Sequence, residues 1–90
     1  MRILYPCDPS NPRAPDEAFA AEFAALPAAR LPLSLFSFEE FETGGFRARP
    51  GFAPGEVVLY RGWMLAAERY PTLTAAIRAH GGVRRRGRAT

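Results

Sequence analysis

Apolar residues along this chain come in short bursts, separated by breaks rich in proline and glycine. Arg2-Ile-Leu-Tyr-Pro6 is an apolar run closed by proline and reads as a buried first strand. The next stretch, 7–15, carries Pro9, Pro12 and Pro15 among Asp8, Ser10 and Asn11, the composition of a loop. A helix is expected to start near Asp16 and Glu17, because carboxylates are favoured at the positive end of the helix dipole. Phe19, Phe23 and Leu26 then recur at i, i+4 and i+7 as one apolar stripe, and Pro27 ends it. Leu31, Leu33 and Leu35 alternate with Pro32, Ser34 and Phe36, which predicts a second strand. Pro32 has no ladder donor, so this strand lies at a sheet edge or begins there.

Ser37-Phe-Glu-Glu40 has the spacing of a capping box and predicts one helical turn through Phe41. Gly44 and Gly45 turn the chain, 46–49 reads as a short strand, and Gly51, Pro54 and Gly55 form another loop. The run 56–60, Glu-Val-Val-Leu-Tyr, is the strongest strand: β-branched, apolar and bounded by turns. A second main helix is expected from Ala67 or Tyr70 to His80, with Pro71 in its first turn, Leu73 and Ile77 on its buried edge and Gly81 as its C′ residue. Strands alternating with helices predict parallel βαβ units. The fold class is therefore α/β, a small, open, mainly parallel sheet with two main helices.

Ninety residues make one domain, in which folding buries about two-thirds of the exposed chain surface. The apolar stretches 23–29 and 31–38 are short and contain proline, well below the ~20 residues a membrane span needs. A single cysteine, Cys7, cannot form an intrachain disulfide, and this fits a reducing, cytoplasmic setting. Residues 1–80 hold eight Arg against nine Asp and Glu, a balance of −1. Arg84, Arg85, Arg86 and Arg88 then bring the total to +3. The basicity thus belongs to the chain end, read as an Arg-rich disordered tail over 83–90 after a folded domain over 1–82. Lysine is absent, which excludes a Walker-type phosphate loop and Schiff-base chemistry.

In open parallel sheets ligands bind beyond the carboxyl ends of the strands. Two loops leave strands there. One offers Cys7, Asp8, Ser10 and Asn11, and the other is Arg61-Gly-Trp-Met64. Asp8 is either a ligand group or the acceptor of an Asx turn. Cys7 has no neighbouring base to activate it, and His80, in a last helical turn, suits a capping role. Arg61 and Trp63 either face a ligand or partner, or serve as a surface ion pair and a core indole. The acidic cluster Glu39, Glu40 and Glu42 reads as a solvated helical face. One His and one Cys do not compose a zinc site of the usual kind, and no catalytic residue, metal ligand or cofactor motif can be assembled.

Three stretches carry a family likeness: Met1-Arg-Ile-Leu-Tyr-Pro6; residues 8–22; and Val58-Leu-Tyr-Arg-Gly-Trp-Met-Leu65 with Tyr70 following. Over residues 1–80 the chain resembles the amino-terminal lobe of an uncharacterised bacterial group of ATP-grasp proteins, and Tyr60-Arg-Gly-Trp-Met64 is the most specific part. The resemblance implies a Rossmann-like pre-ATP-grasp domain in a carboxylate-amine or carboxylate-thiol ligase. ATP and Mg²⁺ would be held by the later catalytic lobes, and this chain would bind no cofactor itself. Asp8, Asn11, Arg61 and Trp63 would then face substrate or a neighbouring lobe, which is supplied in cis or as a separate chain.

After Gly82 the family pattern asks for an aliphatic strand, and Val83-Arg-Arg-Arg departs from it. The expectation is a truncated or split chain lacking its last sheet strand, with an open edge that favours self-association. The leading functional reading is a non-catalytic substrate-side or docking lobe, with no membrane role. The alternative is a small module binding nucleic acid or an acidic partner through its arginine tail. Nucleic acid is disfavoured by the slightly acidic body and a tail without aromatics. A free-standing enzyme using Cys7 ranks third.

Overall fold

The structure is a computed structural model that describes residues 1–25 and 31–85. Its organising element is β1, Arg2–Asp8, whose residues 3–7 are all buried. On one side β1 pairs in parallel with β3, Leu33–Phe36. On the other it pairs in parallel with β5, Val57–Tyr60. β6, Val83–Arg85, continues the parallel set beyond β5. Two short strands run the other way: β2, Asn11–Pro15, folds back on the end of β1, and β4, Ala48–Arg49, pairs with β3. The order is β4-β3-β1-β5-β6, with β2 off this path on β1. The fold is α/β, as the pattern predicts, but its open sheet is mixed.

Three boundaries differ from the sequence expectation, each for a local reason. Pro6 does not end β1, because it lies past the last β1–β5 pair, Leu4 with Tyr60, where β5 needs no donor from it. The proline-rich stretch 7–15 is a hairpin, not only a loop. Its prolines fall in the turn and on exposed β2, and the backbone N–H of Asp16 returns to the Pro6 carbonyl at 2.9 Å. Pro32 lies just before β3, and its carbonyl accepts from the Ile3 N–H at 3.0 Å. β3 itself is internal, between β1 and β4.

The layers follow from strand alternation. Ile3, Tyr5, Cys7 and Leu35 face one side, where Phe19 and Phe23 pack on them. Phe19 ends a 3₁₀ turn over Glu17–Phe19, capped by Asp16, and Phe23 lies on α1, Ala20–Ala25. The rest of the expected stripe, Leu26, and the terminating Pro27 lie outside the described residues. Leu4, Phe36 and Val58 face the opposite side, under Phe41 of α2, Phe38–Glu42, and Leu73 and Ile77 of α3, Arg69–Ala79. The two crossovers flanking β1 therefore cover opposite faces of the sheet.

The helix ends are written locally. Ser37 caps α2 by accepting from the Glu40 N–H at 3.1 Å. α3 closes on Gly81 at φ +92°, a conformation that glycine takes without strain. The ring of Arg69-held Phe41 then ties α2 to α3, with the guanidinium 4.7 Å from the ring centroid.

The sequence pattern predicts no strand after Gly82 and a tail from 83, but Val83–Arg85 forms the parallel edge strand β6 on β5. Arginine is tolerated there because the strand is an edge and its long side chain can lie along apolar surface. Arg84 stacks 5.1 Å over the Tyr70 ring and donates to Thr74 Oγ1 at 3.2 Å. Residues 86–90 of the expected tail lie outside the described residues.

Leu73 is fully buried in the centre of this second face. Leu73→Ala is expected to cost about 2–5 kcal/mol through lost burial and a residual cavity. Urea denaturation would read this as a lower midpoint at unchanged slope.

Candidate functional site

β1 and β5 are adjacent and parallel, so their carboxyl ends share one edge of the sheet. The chain leaves β1 for β3 on one side and later enters β5 on the other. Such a divergence of crossovers is where open α/β sheets leave a crevice. At this edge the Arg61 N–H donates to the Leu4 carbonyl at 2.9 Å, carrying β5 pairing one residue further. The chain then turns tightly at Gly62. A Cβ there would meet the Tyr60 ring at 2.4–2.5 Å, because that ring folds across the turn to donate its hydroxyl to the Trp63 carbonyl at 2.7 Å.

The turn aims Arg61 at α1. Its Nε donates to Glu22 Oε2 at 3.0 Å and its Nη2 to Oε1 at 2.5 Å, a two-point guanidinium–carboxylate contact. Tyr5, from β1, donates its hydroxyl to the same Glu22 carboxylate. One carboxylate therefore joins β1, α1 and the β5 loop. The Arg61 hydrogen bonds, followed by that of Tyr5, pull the Glu22 carboxyl down to about 2. Burial, reinforced by the adjacent carboxylate, pushes the Tyr5 phenol above its ordinary value. The Glu22 contact likewise raises Arg61. At neutral pH the cluster is thus a fixed anion, a fixed cation and a neutral phenol. It can orient and bind, but none of the three is poised to exchange a proton.

Beside the ion pair stands an aromatic display. Trp63 meets Phe19 edge to face with centroids 5.0 Å apart, yet stays 43% exposed. Met64 is 91% exposed, and Leu65 turns back into the core. The apolar surface at this edge is therefore held from below and open above.

The sequence-derived candidates separate into two pairs. Arg61 and Trp63 stand in one turn at the shared edge. Asp8 and Asn11 lie in the β1–β2 hairpin and spend their side chains locally: Asp8 Oδ1 accepts from the Ser10 N–H at 2.7 Å, and Asn11 Oδ1 from the Arg13 N–H at 3.0 Å. These are Asx turns, and neither residue bonds to Arg61 or Trp63. Cys7 is buried, and burial raises its pKa, the opposite of an activated thiol. His80 is the C-cap residue of α3, with Nδ1 2.9 Å from the Ala76 carbonyl.

Glu22, Tyr5 and Phe19 are the site residues that the sequence reading missed. A signal for one of them exists. Glu22 falls at i+3 from Phe19 and i−1 from Phe23, which puts a carboxylate at the border of an apolar stripe.

A second concavity lies on the α1 face, away from this edge. It is a groove of about 500 Å³ whose lining includes Arg13, Phe23, Leu33, Leu35 and Arg49. Among the described residues no group of three His, Cys, Asp or Glu side chains could hold a metal ion. No helix among them is long and apolar enough to cross a membrane. Comparison with known proteins finds no matching family model, no characterised protein of significant sequence similarity and no solved structure of significant structural similarity.

The lowered pKa of Glu22 predicts a pH signature. Because the folded value lies below the usual 4.5, the contribution is complete above about pH 4.5 and is lost as pH falls through about 2. The pair is solvent-screened, with side chains 56% and 37% exposed, so the effect is about 1 kcal/mol or less. Glu22→Gln should flatten the stability profile across that window, as read from urea midpoints at each pH. An unchanged profile would show that the carboxylate is not held ionised by Arg61.

Proposed function

We propose that this chain is a non-catalytic substrate-side or docking lobe of an ATP-grasp ligase-like protein. The observation that carries the proposal is the clamped but exposed Trp63–Met64 surface beside the Arg61–Glu22 pair. It provides apolar contact area, a fixed cation and a rigid mount, and no acid, base or nucleophile ready for chemistry. The four parallel strands in the order β3-β1-β5-β6 fit a Rossmann-like, pre-ATP-grasp lobe. The likeness at Tyr60-Arg-Gly-Trp-Met64 falls on the turn that makes the display.

ATP and Mg²⁺ belong, in this reading, to the catalytic lobes. The chain has no lysine for a Walker-type phosphate loop. Arg61 orients a neighbouring surface or a substrate carboxylate only through the donors that Glu22 leaves free. Binding of nucleic acid or an acidic partner through the arginine-rich end is the weaker reading, since Arg84 is committed to Tyr70 and Thr74.

Thermal melting with Mg-ATP tests the proposal. A ligand at a hundred times its Kd stabilises a protein by about 2.7 kcal/mol. For a domain of this size that raises Tm by roughly 10–20 °C. No such shift is expected here, and one of that size would overturn the reading. A second measurement is the mass of the native species carrying this sequence. The docking role requires it in a larger chain or a stable complex, and a free 9.9 kDa species alone would contradict it.

A further inference from the structure

We propose that the groove between α1 and the β3–β4 edge binds a small amphipathic carboxylate. Its anionic head would meet Arg13 and Arg49, and its apolar body would lie on Phe23, Leu33 and Leu35. The site is distinct from the Arg61–Trp63 edge and does not depend on the docking role.

The groove exists because of register. Leu35 pairs with Arg49 and Phe36 with Ala48, so β4 sends Ala48 into the α2–α3 core and leaves Arg49 beside Leu35 on the α1 face. Leu33 and Leu35 form the floor, with Phe23 of α1 as one wall. Its volume of about 500 Å³ falls within the usual range for small-molecule sites, about 300–1,000 Å³.

Both arginine walls are held through their backbones. The Arg13 N–H is fixed by Asn11 Oδ1 at 3.0 Å. The chain after Arg49 is pinned where buried Ser34 Oγ donates to the Pro50 carbonyl at 2.5 Å. Arg2 Nη1 in turn donates to Ser34 Oγ at 3.1 Å.

The guanidinium groups themselves are uncommitted. Among the described residues neither Arg13 nor Arg49 has an ion pair or side-chain hydrogen bond, whereas Arg2 and Arg61 are each paired with a glutamate. No acidic residue is among the described residues lining the groove. Two unpaired cations over an apolar floor define the complementary ligand. A bare inorganic anion would leave the leucines in water, and a neutral hydrocarbon would gain nothing from the arginines. A carboxylate matches the planar guanidinium fork in two-point contact, and a short acyl body covers the floor.

The test is a titration of the ¹⁵N-labelled chain with sodium decanoate below micelle-forming concentration, followed by amide shifts. The expected result is saturable shifts centred on residues 13, 23, 33–35 and 49. Decanol, acetate and decylamine should each bind about tenfold or more weakly than decanoate. The double variant Arg13→Gln/Arg49→Gln should lose about tenfold or more in decanoate affinity, leave decanol binding unchanged and keep the wild-type melting curve. Both positions are exposed, so this variant separates binding from folding. Non-saturable shifts, shifts centred on Phe19 and Trp63, equal binding of decanol, or wild-type affinity in the double variant would each overturn the proposal.

Discussion

Everything in this fold depends on keeping β1 out of water on both faces. Residues 3–7 alternate between two cores, and a strand of seven residues cannot shield either side by itself. The chain meets this constraint by laying parallel neighbours on both flanks and a helical layer on each face. At ~25 cal/mol per Å² of apolar area, burying a strand on two sides is a substantial gain for so short a chain. The same constraint explains why β1 continues through Pro6. Ending the strand there would uncover Tyr5 and Cys7, and the missing proline donor falls where β5 has already stopped.

Two ion pairs then brace the sheet, one toward each end of β5. The Arg2–Glu56 pair ties it to β1 directly, and the Arg61–Glu22 pair ties it to α1, with Tyr5 of β1 on the same carboxylate. Arg2 opens β1 and binds Glu56 at 2.9 Å, just before β5. The backbone N–H of Ala53 and then Arg2 hold that glutamate below the usual carboxylate range. At the far end Tyr5 and Arg61 converge on Glu22. The first pair is well shielded, with side chains 14% and 16% exposed, and it connects through Ser34 to the β4 edge. The second is open to solvent and contributes less to stability. The closed end of the sheet is therefore the structural one. The open end can present charge and aromatic surface without endangering the core.

Legibility in the sequence follows the range of the interactions. The strand at 56–60, the α2 cap at Ser37 and the close of α3 at Gly81 are local and can be read from a few neighbouring residues. The hairpin arm Asn11–Pro15 is not, because it is mostly exposed and shows no alternation. β6 is hidden by its arginines. Its place is set by pairing with β5 and by the Tyr70 ring under Arg84, both distant from Val83 in sequence or side-chain chemistry. At the site, Arg61 and Trp63 are visible as a long cation and a large indole directly after a strong strand. Their partners Glu22 and Phe19 are about forty residues away, so only the crossover that covers the α1 face brings them together. The Asx turns at Asp8 and Asn11 show the converse: short polar side chains in a proline-rich stretch found their partners two residues on.

Trp63 decides whether this edge is incidental or functional surface. A single exposed apolar residue is ordinary and calls for no explanation. An indole that is merely tolerated at the surface would keep its rotamer freedom, since ordering a large side chain opposes folding. Trp63 instead has its backbone held by the Tyr60 hydroxyl and its ring set against Phe19. Gly62 gives Tyr60 the space to reach over. An edge-to-face pair contributes about 0.5–1.5 kcal/mol, enough to hold the ring but less than full burial would give. The ring is therefore ordered but only part-buried, with the exposed Met64 beside it. In the docking role proposed above, a ring already ordered before contact would lower the entropic cost of binding.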